Sequence, residues 1–153
     1  MRIAEFLRED LVFADLKANE KAAVLGEMSA ALARSFPSLA AGRLTEALLE
    51  REKLGSTGVG EGVAIPHGKL PGLPGLIAAF ARKKAGLDFA AIDNKPTFLF
   101  FVLFAPENSA GLHLKALARI SRLFKQPQLR QAILAAPDAA AIYRLISEED
   151  AKY

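Results

Sequence analysis

The run Thr97-Phe98-Leu99-Phe100-Phe101-Val102-Leu103-Phe104 limits the folds open to this chain more than any other stretch. A strand sends successive side chains to opposite faces, so a strand with one wet face alternates apolar and polar residues. This run does not alternate, and both its faces therefore need cover. It is far short of the roughly 20 apolar residues of a membrane helix. The cover must come from protein, which makes it a central strand with helices on both sides. Leu76 to Lys83 is a second apolar run of strand length, bounded by Pro, Gly and charged residues, and Val63 to Ile65 is a short third.

Helical periodicity supplies the flanking layers. Asn19 is placed to cap a helix whose stripe is Leu25, Met28, Leu32 and Phe36, broken by Pro37 and Ser38. A second helix is predicted from about Gly42 to Leu54, with Gly55 as its C′ residue. Past Pro106, Gly111 to Phe124 has helical spacing. Pro127 and Pro137-Asp138 begin two more helices, the last with the stripe Ile142, Leu145 and Ile146. No linker, repeat or low-complexity tract divides the chain. Residues 1–153 are therefore expected to form one α/β domain with a central mixed sheet flanked by helices on both faces.

Several function classes drop out. With no cysteine, the chain has no disulfide, thiolate metal site or cysteine nucleophile. The N-terminus mixes both charge signs too early for the apolar core of a signal peptide, and no run spans a bilayer, so a soluble cytoplasmic protein without membrane insertion is expected. The net charge of +3 comes from basic residues scattered among acidic ones. The short clusters Arg82-Lys83-Lys84 and Arg119 to Lys125 lack interleaved aromatics for stacking bases, so no nucleic-acid partner is expected. A mild positive balance also suits a phosphate or an acidic protein surface.

One of only two histidines lies in Gly62-Val63-Ala64-Ile65-Pro66-His67-Gly68-Lys69. Pro66 fixes its own φ and biases Ile65 toward extended geometry, while Gly68 permits a sharp turn. His67 is thus expected in a constrained turn off the end of a strand, either as a surface turn residue or as a presented reactive group. Arg51 shares the inward stripe of the second helix with Leu44 and Leu48. It either binds an anion or reaches out to solvent and the helix C-terminus. His113 shares a stripe with Leu117, Ile120 and Phe124 near a helix start, where an imidazole tends to stay neutral. A core histidine bonded to a carbonyl has the same pattern. The glycine-dense loop Ser56 to Gly62 offers amides and two hydroxyls as a nest for an anion, but it lacks the Gly-Lys-Ser/Thr ending of a nucleotide-binding loop.

Two histidines without carboxylates at ligand spacing make a poor metal site, and no Gly-x-Ser-x-Gly elbow is present. A neutral imidazole beside an arginine and hydroxyl donors can accept a phosphoryl group, with nitrogen as nucleophile and the donors on the equatorial oxygens. No metal or cofactor is called for.

The stretch Glu50 to Lys69 resembles the signature of the mannitol/fructose-type enzyme IIA domain of the bacterial phosphotransferase system, and within it the stand-alone nitrogen-type enzyme IIA. The likeness extends to Ile3–Leu16, Ile92-Asp93 and Leu103–Leu117, nearly the whole chain. It implies a phosphotransferase of the transferase class acting mainly as a regulator. His67 would be phosphorylated by a histidine phosphocarrier protein of the nitrogen branch. Arg51 and His113 would steady the phosphoryl group, with Ser56 and Thr57 as neighbouring hydroxyls. Regulated targets, such as potassium transport or stress regulators, would respond to the phosphorylation state. Two other readings stay open: a sugar-specific IIA component feeding a permease IIB domain, and a binding module that is never phosphorylated. Glu61 departs from the family pattern, where asparagine is usual, and a carboxylate there should point away from a phosphate.

Overall fold

In a computed structural model describing residues 1–153, a six-stranded mixed sheet runs through the middle of the molecule. Its elements are β1 (Leu7–Phe13), β2 (Gly58–Gly60), β3 (Val63–Ala64), β4 (His67–Leu70), β5 (Ile77–Leu87) and β6 (Thr97–Pro106). The helices are α1 (Lys21–Ser35), α2 (Ala41–Glu52), α3 (Ala110–Phe124), α4 (Pro127–Ala135) and α5 (Ala139–Asp150). The spatial order is β1-β5-β6-β3-β2, with β4 also on β6. β6 pairs antiparallel with β5 and parallel with β3 and β4. The unalternating run is therefore the central strand, and its two faces feed two separate cores. Leu99, Phe101 and Leu103 pack with residues of α3, α4 and α5. Phe100, Val102 and Phe104 pack with Leu25, Met28 and Leu32 of α1 and Leu44 and Leu48 of α2. Each such side chain, fully buried, contributes roughly 1.5–3 kcal/mol.

The helix ends follow local chemistry, with two adjustments to the expectations. Asn19 does not cap α1: Glu20 occupies the N-cap in extended geometry and makes no capping side-chain bond. α2 stops at Glu52, and Gly55 adopts φ 137 beyond it, so the chain leaves the helix before the glycine. Pro127 opens α4, and Asp138 caps α5 by accepting from Ala141 N at 2.8 Å. Arg82, 1% exposed, satisfies the end of α4 by donating to the carbonyls of Ile133 and Ala136. No helix is long and apolar enough to cross a membrane.

The loop expected from Ser56 to Gly62 is half strand. β2 pairs antiparallel with β3, and the two residues between them, Glu61 at φ 58 and Gly62 at φ 78, form the left-handed pair of a tight hairpin turn. Such a turn favours Asn-Gly, which gives a backbone reason for the asparagine usual in the family and leaves Glu61 in a conformation that suits it less well. The Glu61 side chain is 77% exposed, turned toward Arg130 at 3.6 Å.

His67 is not in a turn either. It is the first residue of β4, whose residues His67 to Leu70 pair in parallel with Leu103 to Pro106. β3 and β4 are two pieces of one path along β6, interrupted at Ile65-Pro66. The sheet supplies partners past the proline, so the chain stays extended. Gly68 serves packing instead of turning: a Cβ there would lie 3.4 Å from Ala47 of α2 and from the Phe104 ring.

Candidate active site

His67 stands on a strand with α2 on one side and α3 on the other, helices that belong to opposite faces of the sheet. Its Nδ1 is 2.7 Å from the carbonyl oxygen of Ile65, the first residue of the break between β3 and β4. Arg51 Nε donates to His67 Nε2 at 3.1 Å. A carbonyl only accepts and a guanidinium only donates, so the proton belongs on Nδ1 and the lone pair on Nε2. Burial pushes the His67 pKa below the ordinary imidazole value and the Arg51 charge adds to that, outweighing the Ile65 carbonyl. The ring is neutral at pH 7.

His113 is 6% exposed, and its ring centre is 5.3 Å from that of His67, edge to face at 80°. Its Nε2 has no hydrogen-bond partner in the protein. Burial pushes its pKa down to about 4, with the positive charges that His67 and Lys69 can carry adding to the effect. A buried nitrogen without a partner is costly in a structure and needs a reason. Here it lines the same groove as His67, where a ligand oxygen could reach it.

The groove, of ≈ 660 Å³, is open and largely apolar, with Leu54, Leu114 and Leu117 around Arg51, His67 and His113. Leu54 is 83% exposed and Leu114 68%. Lys69 also lines it. No role was foreseen for that lysine, although strand periodicity sets residues 67 and 69 on one face.

Arg51, His67 and His113 are thus together. Ser56 and Thr57 do not line the groove. Ser56 Oγ donates to the Phe89 carbonyl at 3.3 Å and accepts from Gly58 N at 3.0 Å. The Thr57 hydroxyl donates to Glu52 Oε2, and Thr57 N donates to Oε1 at 3.1 Å. The amides at 57 and 58 are therefore committed, to the end of α2 and to Ser56 respectively. Asp93 holds the hairpin tip, accepting from Glu61 N and Lys95 N, each at 3.1 Å, and these amides keep its carboxyl below the usual range.

Chemically, the arrangement offers one uncharged nitrogen nucleophile, a fixed cation in contact with it, and an unused donor or acceptor across the groove. That set suits an incoming trigonal phosphoryl group. Comparisons with known proteins point the same way. The family model described as phosphoenolpyruvate-dependent sugar phosphotransferase system, EIIA 2, matches residues 5–149. A nitrogen regulatory protein of Bradyrhizobium diazoefficiens is 42% identical over 147 residues, 96% of this chain and 95% of that protein. The crystal structure of nitrogen regulatory protein IIA-Ntr from Neisseria meningitidis superposes with a TM-score of 0.88 at 35% identity, covering 94% of this chain and 98% of that one. The fructose-specific EIIABC component of Bacillus subtilis is 35% identical over 150 residues, 98% of this chain but 24% of that larger protein.

Proposed function

This chain belongs to the phosphoenolpyruvate-dependent sugar phosphotransferase system EIIA 2 family, and from that premise we propose that it accepts a phosphoryl group on His67 Nε2 and signals through its phosphorylation state. The observation that carries the reading is the polarised ring: Nδ1–H on the Ile65 carbonyl, and the Nε2 lone pair beside the Arg51 fork in an open groove. The donor is a phosphohistidine on a small phosphocarrier protein of the nitrogen branch. Its P–N bond breaks as the bond to His67 Nε2 forms, with both nitrogens in line and the rim of Leu54, Leu114 and Leu117 seating the partner. Positive charge grows on the His67 ring during attack, and the Ile65 carbonyl stabilises it. Arg51 turns from the ring to the phosphoryl oxygens, and His113 Nε2 donates across the groove. Ser56 and Thr57 support the loop between α2 and β2 and do not contact the phosphate.

The regulatory role is supported by the nitrogen regulatory names of relatives matched over nearly their whole length. Phosphorylation adds negative charge to an apolar rim and so changes which target protein docks there. We place the protein in the cytoplasm, where a phosphocarrier and its targets would meet it. Incubation with phosphoenolpyruvate, the first enzyme of the system and the phosphocarrier should give one acid-labile phosphate, absent from His67→Ala. A label that survives in His67→Ala would sink the assignment, and an unlabelled wild type would favour a binding module instead. The likeness to a fructose-specific component supports a second reading, transfer onward to a sugar permease domain. Loss of label to an added IIB domain, at a rate matching sugar uptake, would establish it.

A further inference from the structure

One buried charge next to the site neither lines the groove nor bonds to His67. Glu52 ends α2, adjacent in sequence to Arg51, and its side chain is 6% exposed. Its Oε1 pairs with Lys21 Nζ of α1 at 2.8 Å and accepts from Thr57 N at 3.1 Å, while Oε2 accepts the Thr57 hydroxyl. Lys21 is held from a second side, 4.7 Å from the centre of the Phe89 ring. A carboxylate is poorly placed at a helix C-terminus, where the macrodipole is negative, and its burial is tolerated only when its oxygens are filled. Donors are brought to it from α1 and from the loop after α2, so it clamps those pieces together.

The clamped segment contains Gly55, whose carbonyl accepts from Arg51 Nη1 at 2.9 Å while Arg51 Nε reaches His67 Nε2 at 3.1 Å. A guanidinium is a planar fork with its N–H directions fixed relative to one another. Holding the Gly55 carbonyl therefore sets the plane of the fork and the line along which Nε points. We infer that Glu52 is the positioning residue of this site: by tying Thr57 to α2 and Lys21, it fixes the Gly55 carbonyl as the pivot on which Arg51 passes from the His67 ring to the phosphoryl oxygens. The inference rests on the phosphoryl-acceptor reading. During transfer the donor nitrogen leaves with the electron pair of the broken P–N bond, His67 keeps its Nδ1 proton on Ile65, and Arg51 Nε exchanges a ring nitrogen for a phosphoryl oxygen. The Nη1 bond to Gly55 persists. The Thr57 hydroxyl thus serves the site through Glu52.

Glu52→Gln keeps the shape and removes the charge. Two measurements on the folded variant test the clamp. In the unphosphorylated protein, the nitrogen-15 resonance of His67 Nε2 should move toward that of an imidazole nitrogen with no donor on it. Phosphorylation by the phosphocarrier should slow roughly ten- to a hundredfold, the range expected for a misaimed group at a reacting centre. Thr57→Val removes only the hydroxyl contact and should slow transfer by less, and Thr57→Ser should regain most of that loss. A folded Glu52→Gln with the wild-type His67 spectrum and rate overturns the inference. If Glu52→Gln does not fold, the Thr57 pair decides, and equal rates for valine and serine overturn it. A wild type that takes no phosphate sinks the acceptor reading, yet the His67 resonance in Glu52→Gln still reports on the clamp.

Discussion

The two nitrogens of His67 are given different work by their neighbours, and each division can be tested at a single residue. Arg51→Lys keeps the charge but loses the planar fork that meets both Gly55 and the His67 ring. It should slow phosphorylation about a hundredfold, as loss of a positioned transition-state donor does, with circular dichroism unchanged. His113 gives a pH signature. Its imidazole takes a proton near 6.5 in the unfolded chain and only at about 4 in the folded one. Between those values the unfolded state binds more protons, so stability rises with pH and is lost as pH falls through the window. Thermal midpoints should decline from pH 6.5 to pH 4 and stay level above it. His67, shifted in the same direction, adds to the slope. His113→Gln should reduce that slope, measured by calorimetry across the range. At this scale Arg51 and His113 were legible because each sat on an apolar stripe where a polar group needs a reason. The inward turn of Ser56 and Thr57 was not legible, since it depends on Glu52 and Phe89, the second of them distant in sequence.

At the scale of elements, the hairpin of β2 and β3 carries local strain. Glu61 holds φ 58, a region that costs most L-residues and that asparagine tolerates. Glu61→Asn should stabilise the protein by about 1 kcal/mol or slightly less, since the exposed contact with Arg130 that it removes is worth little. Urea denaturation would read the gain as a higher midpoint at constant slope. The helices were legible in sequence because their stripes run for several turns and proline or glycine marks their ends. β1 was not. It is an edge strand, its centre carries the exposed Arg8, Glu9 and Asp10, and its register with β5 shifts between Leu7 and Val12. Such a break erases the period-two pattern that would have revealed it. β4 was hidden for another reason: Pro66 and Gly68 signal a turn locally, and only the partner strand overrules them.

Over the whole molecule, the chain ends are tied by one buried carboxylate. Asp150, 1% exposed, accepts from Ile3 N at 2.6 Å and from Arg119 Nε at 2.7 Å, joining the start of the chain to α3 and α5. Asp150→Ala leaves the Arg119 charge without its partner and should cost about 3 kcal/mol, with hydrogen exchange in β1 rising most because that strand pairs only with β5. The sequence by itself determined the layered α/β architecture, because an eight-residue run with no polar face must be covered twice, and it determined which two histidines and which arginine were candidates. Tertiary structure decided the chemistry of the site. Only the parallel pairing of β4 with β6 keeps His67 extended after Pro66, and only the meeting of α2 and α3 beside that strand joins the Arg51 fork to Nε2 and brings His113 within 5.3 Å of the ring. Residues far apart along the chain share no local signal, so their distances and the directions of their lone pairs exist only once the sheet has closed.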